Sequence, residues 1–133
     1  MDLIYANAIK DNRSFEAVFV NSEPFVNPFS HSTPSAYPHP ASRPITPANS
    51  YVEYSDEADL EYVKDALKNL TAEVQAVAIR EGQSTTDALH YPNYALADTP
   101  LELMYGDNVE RLRKIKASVD PKNVMGLTGG FLF

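Results

Sequence analysis

Eight tyrosines and three histidines are the side chains of this sequence whose chemistry reaches beyond ordinary charge pairing. Tyr91-Pro92-Asn93-Tyr94 sets two phenols around an amide. The histidines, His31, His39 and His90, have no metal-ligand spacing. A structural metal site needs three or four converging ligands, so no metal is expected. With no cysteine, disulfides and thiolate ligands are excluded. The chain has no G-x-G-x-x-G and no phosphate-cradling P-loop. No Ser/His/Asp set is recognisable from spacing. The ordinary meaning of so many tyrosines is half-buried packing, with the hydroxyls bonded at the rim.

The elements that position Tyr91 and Tyr94 lie in the stretch from His90 to Phe133. Thr99, Pro100 and Glu102 predict a capping box opening one helix. Asp107 and Glu110 predict a second box. Behind it, Val109, Leu112, Ile115 and Val119 share a helical face. Arg111, Arg113, Lys114 and Lys116 read as the solvated face, the later ones suited to the negative end of the helix dipole. Arg111 is expected to pair with a carboxylate or a carbonyl. Gly106 permits a tight turn, and Asp107 and Asn108 are expected to satisfy free helix N–H groups. Asp120-Pro121 stops the helix, because a residue before proline is pushed out of the α region.

This pattern resembles the C-terminal segment of the berberine bridge enzyme-like FAD-linked oxidases of the vanillyl-alcohol oxidase superfamily. The matching residues are Tyr91-x-Asn93-Tyr94, Tyr105-Gly106-x-Asn108-x-x-Arg111-Leu112-x-x-Ile115-Lys116 and Asp120-Pro121-x-Asn123-Val124-Met125. The resemblance is specific from Tyr91 to Met125 and looser from Ser35 to Tyr54. Ser35-Ala36-Tyr37-Pro38-His39 is similar to a stretch of the family's substrate domain, although Pro40 replaces the arginine that often follows the histidine. The resemblance implies a Tyr-x-Asn-Tyr segment that faces flavin and substrate. Tyr91 is then the catalytic position, Asn93 the cofactor-side group, and Tyr94 and His39 substrate-binding positions. Hydride leaves carbon for flavin N5 while the substrate hydroxyl proton needs another acceptor. A tyrosine, with an ordinary pKa of ~10, takes it only where neighbours favour the phenolate. The implied cofactor is FAD. The family's FAD-binding domain lies N-terminal to this region, so the expectation is a partial substrate domain that binds little FAD by itself.

Composition sets the outer bounds. The 133 residues are 44% apolar and 22% charged, ordinary for a globular domain. A net charge of −7 opposes nucleic-acid binding, whose footprint is a basic patch. No apolar run approaches the ~20 residues of a membrane span. No signal peptide is evident at the N-terminus, although the family is often secreted; the compartment stays open.

Along the chain, residues 1–11 read as the tail of a helix. Phe15 to Val20 reads as a strand, and its unbroken Ala17-Val18-Phe19-Val20 predicts cover on both faces, hence a central strand. Pro24 to Pro47 holds seven of the ten prolines and five rings, and reads as an ordered meander packing those rings. Its P-x-x-P at Pro44 to Pro47 is common in any proline-rich loop. Ser50 to Tyr54 is a second strand. Ser55 or Asp56 caps the longest helix, with a stripe of Leu60, Val63, Leu67, Leu70, Val74 and Val77 lying on a sheet. Gly82 ends it as a left-handed cap. Ala88 to Tyr94 reads as extended, and the terminal Phe131-Leu132-Phe133 as a docking triplet.

The expected fold is α+β: a small, mostly antiparallel sheet with helices on one side, in one partial domain with substrate-domain residues 1–89 and the berberine-like segment 90–133. The expected function is the substrate-side part of an FAD-dependent oxidoreductase acting on alcohols, sugars or secondary metabolites. Its partners are a small-molecule substrate and a separate FAD-binding domain or a second copy, because Phe25, Phe29, Tyr37, Tyr91, Tyr94, Phe131 and Phe133 are expected to form an exposed apolar patch. The rival readings are a non-catalytic binding module and a cofactor-independent enzyme reusing the substrate pocket.

Overall fold

Two strands pair antiparallel in the computed structural model, which describes residues 2–25, 28–39 and 45–133. They are β1 (Phe15–Ser22) and β2 (Ala48–Tyr54), and the helices are α1 (Asp2–Lys10), α2 (Leu60–Arg80), α3 (Glu102–Tyr105) and α4 (Val109–Val119). The fold class is α+β, as the patterns predict. Pro40 and the Arg43-Pro44 step of the P-x-x-P lie outside the described residues, as does the Phe29 side chain. The chain divides into two compact units, residues 1–23 with 48–88, and residues 24–47 with 89–133.

The first unit is the sheet with α1 and α2. Phe15 pairs with Tyr54, Val18 with Val52 and Ser22 with Ala48, with a bulge between Phe15 and Ala17. Ala8, Phe15 and Val63 form the buried centre, with Ile4, Val52, Tyr62 and Leu67 packed around it. Asp56 caps the turn before α2 by accepting from Ala58 N–H at 2.9 Å. Gly82, at φ +68°, closes α2 while Gln83 N–H bonds Ala78 C=O and Gly82 N–H bonds Ile79 C=O. That is a Schellman cap, and it needs the backbone freedom of glycine.

Two expectations fail in this unit. Among the described residues β1 has only one neighbouring strand, so it is not central, and Phe19 is 45% exposed. The bulge after Phe15 shifts the alternation, and helix covers one face only. The α2 stripe is likewise only half covered. Val63 and Leu70 are buried, whereas Val74 and Val77 are 39% and 44% exposed. A two-stranded sheet is too small to cover a helix of 21 residues.

The second unit holds the proline-rich meander and the C-terminal segment. Its buried side chains are Met104 and Val109. Rings supply much of the remaining packing. Of the rings expected in an exposed patch, Phe25, Tyr37, Tyr91, Tyr94, Phe131 and Phe133 are each partly buried, and the Phe29 side chain lies outside the described residues. Phe133 leans on Tyr105 at 5.2 Å between centroids, so the terminal triplet does dock, although Leu132 stays 63% exposed.

Candidate functional site

Tyr91 ends an irregular segment and caps a 3-10 turn, Pro92–Tyr94, rather than continuing a strand. The proline explains the departure from the extended reading. It suits the first turn position and has no N–H for a strand ladder. Tyr94 N–H then closes on Tyr91 C=O at 3.0 Å. The tight turn draws Tyr91, Asn93 and Tyr94 together. Asn93 Nδ2 donates to the Tyr91 phenol oxygen at 3.1 Å, and the Tyr91 and Tyr94 rings meet edge-on at 5.1 Å.

Two further rings arrive from the meander. Phe25 meets Tyr91 edge-on at 5.6 Å and 82°, and Tyr37 meets it at 5.9 Å and 78°. Three edge-to-face contacts thus fix one phenol, each a favoured geometry of aromatic quadrupoles. Burial, and secondarily the neighbouring Tyr91 phenol, raise the Tyr37 hydroxyl above the ordinary tyrosine range. His39 is partly buried two residues beyond Tyr37, with Nε2 3.2 Å from Ser32 Oγ.

The meander is held by the C-terminal segment. Asn108 Nδ2 donates to the carbonyls of Ser35 and Ala36, at 3.2 and 3.0 Å. This corrects the capping role expected of it. Asn108 occupies the N-cap position of α4 but makes no side-chain cap bond there, since its amide is spent on the meander. Neither predicted box forms: Leu101, not Thr99, is the N-cap of α3, again without a side-chain cap bond. A Cβ on Gly106 would sit 3.8 Å from Pro38 and 3.7 Å from Leu89, so this turn lies against both. Its φ of +51° favours glycine independently of space.

The rest of the segment is scaffold. Asp120 accepts from Val124 N–H at 2.8 Å and Met125 N–H at 3.1 Å, the expected stop of α4. Although burial raises its carboxyl, those N–H groups and Lys116 outweigh this and hold it below the ordinary range. Arg113 pairs with Glu102 and Lys114 with Glu110 in exposed bridges of little energetic weight. Arg111 has no such partner among the described residues, contrary to expectation.

The site is therefore a phenol oxygen anchored by an amide and walled by rings. Among the described residues no cluster of three metal-ligating side chains exists. The starts of α2, α3 and α4 carry acidic side chains, Glu57, Asp59 and Glu61 at α2, Glu102 at α3, and Asp107 and Glu110 at α4, and these oppose a diphosphate there.

The sequence pattern singled out Tyr91, Asn93 and Tyr94 but not Tyr37, Phe25 or Asn108 as members of one site. The available signal was that both Tyr37 and Asn108 fall within the family-like stretches. Residues 90–128 match the family model described as Berberine and berberine like. No curated protein and no solved structure matches the chain. The matched residues supply Tyr91, Asn93, Tyr94 and Asn108, while Tyr37 and His39 lie outside the match. Residues 90–128, the C-terminal part of this chain, thus form a berberine-like segment.

Proposed function

We propose that these residues form the substrate side of an FAD-dependent oxidoreductase that dehydrogenates a hydroxyl-bearing small molecule, with Tyr91 as the proton acceptor. The observation that carries this reading is the anchored phenol: Asn93 donates to the Tyr91 oxygen at 3.1 Å inside the matched segment. The flavin, when bound, supplies the hydride acceptor. Tyr91 would act as the phenolate and take the hydroxyl proton of the substrate, becoming the neutral phenol. Asn93 keeps that oxygen in place through the transfer, because its N–H bonds the oxygen whether or not the proton is present. Phe25, Tyr37 and Tyr94 pack edge-on against the Tyr91 ring and fix its plane. His39 and Tyr94 stand on the substrate side.

The test is reconstitution. The chain is expressed together with the flavin-binding region encoded with or beside it, and alcohol-dependent flavin reduction is followed by absorbance. Tyr91→Phe is expected to lower kcat by about 10²-fold or more, the usual scale of a positioned acid or base. Undiminished turnover in that variant would remove Tyr91 from the chemistry.

A further inference from the structure

An open cleft of about 430 Å³ runs beside the second half of α2, lined by Leu70, Glu73, Val74, Val77, Ala78 and Glu81. All of these belong to the first unit, so the cleft is complete within it. Leu70 is buried, but Val74 and Val77 are 39% and 44% exposed. The steps from Leu70 to Val74 to Val77 are the four-then-three spacing of a coiled-coil seam. The two flanks of that seam differ. One carries Glu73 and Arg80, seven residues apart, and the other carries Thr71 and Ala78, both small. Arg80 holds Glu81 at 3.0 Å in an exposed pair of little weight and keeps further guanidinium donors. Glu73 pairs with no cation among the described residues.

We propose that this face of α2 binds the same face of a second copy of the chain, as an antiparallel helix pair about a twofold axis. A twofold contact has to be complementary to itself, and this one is. Set Val74 against Val77 of the partner subunit, and Glu73 comes opposite Arg80 of the partner subunit. The axis repeats both contacts, so each charge of the flank is matched. Thr71 and Ala78 meet on the other flank, where their small side chains let the helices close. Two alternatives fail on the same residues. Shifted by one heptad, the seam would set Val74 against Leu70, which is already buried in its own unit, and would bring Glu73 onto Glu73. Parallel helices would set Glu73 beside Ala78, leaving the charge unmatched. Two turns of seam make a small contact, below the ~1,000 Å² of a stable interface, so the dimer is weak. The net charge of −7 on each copy opposes it but is screened at physiological salt.

Sedimentation equilibrium of the purified chain tests this, in ~0.15 M salt and from about 10 µM to about 1 mM protein. A monomer–dimer equilibrium is expected, with Kd on the order of 10⁻⁴ M. Glu73→Arg and Arg80→Glu should each raise Kd about tenfold or more, because the axis turns one substitution into two like-charge contacts. The double variant exchanges the charges and should return Kd to the parental value. Val77→Asp should abolish the dimer. All three side chains are exposed, so these variants should keep the parental helix content by circular dichroism at micromolar concentration, where the chain is monomeric. A chain still monomeric at the highest concentration would overturn the proposal. So would a dimer that both single charge changes leave intact, or a double variant no tighter than the single ones. Dimer surviving in Val77→Asp would also overturn it, by moving the contact to another apolar surface such as exposed Val119 and Leu127.

Discussion

Asp59 is buried and receives three donors: Ser14 N–H at 2.7 Å, Ser14 Oγ–H at 2.8 Å and Arg13 Nη1 at 3.0 Å. The two Ser14 bonds, then Arg13, hold its carboxyl below the ordinary carboxylate range, against the opposing effect of burial. Because the folded value is depressed, the stabilisation is complete above the unfolded carboxylate value of ~3.9 and disappears as pH falls through the folded value. The melting temperature should therefore drop in acid. Asp59→Asn should melt lower than the parent chain at pH 7, with the gap narrowing toward pH 2; a constant gap in calorimetry would contradict the linkage. None of this is visible in sequence, since Ser14 and Asp59 are separated by 45 residues. The same blindness hides Tyr37 and Asn108. The family resemblance marks out Tyr91, Asn93 and Tyr94 because one short motif contains them, but no spacing reports which meander ring packs against Tyr91.

Along α2, the apolar spacing predicts the helix and Gly82 its stop, but the expected cap, Asp56, closes a 3-10 turn at Glu57–Asp59, and α2 itself starts at Leu60 after Asp59. The spacing did not give the depth of cover, because periodicity describes a helix's own surface and not the reach of its neighbours. Leu67 packs against the buried cluster, whereas Val77 is 44% exposed. Leu67→Asp should consequently cost several kcal/mol by burying an unpaired carboxylate, on the scale of a whole domain's ~5–15 kcal/mol. Val77→Asp, in the same sequence stripe, should change stability by about 0.5 kcal/mol or less. Urea unfolding of the two variants distinguishes a stripe with a buried half from one uniformly buried. The 3-10 turn at Pro92 and the missing side-chain cap of α4 have separate causes. Proline sets the turn, and at α4 the Asn108 amide that could have capped the helix is bonded to the meander instead.

The acidic helix starts, together with a net charge of −7, make the whole molecule a poor host for a diphosphate. The purified 133-residue chain should leave the fluorescence of micromolar FAD unchanged and emerge colourless from gel filtration; a retained yellow colour would show a dinucleotide site within it. The α+β class was legible from the order of the elements. The grouping of residues 24–47 with 89–133 was foreshadowed only by the expected gathering of rings from both stretches, since proline-rich sequence carries no periodicity that names its contacts. That grouping has a temporal side. Asn108 is made 72 residues after Ala36, which it holds. On the ribosome, where chains emerge N-terminus first, the early sheet and helix can assemble from what has already been made. The meander must wait as an unpaired, ring-bearing strap until the C-terminal turn emerges. Any release of the chain before Asn108 would leave Tyr37 without its anchor, so the site is among the last things this polypeptide can build.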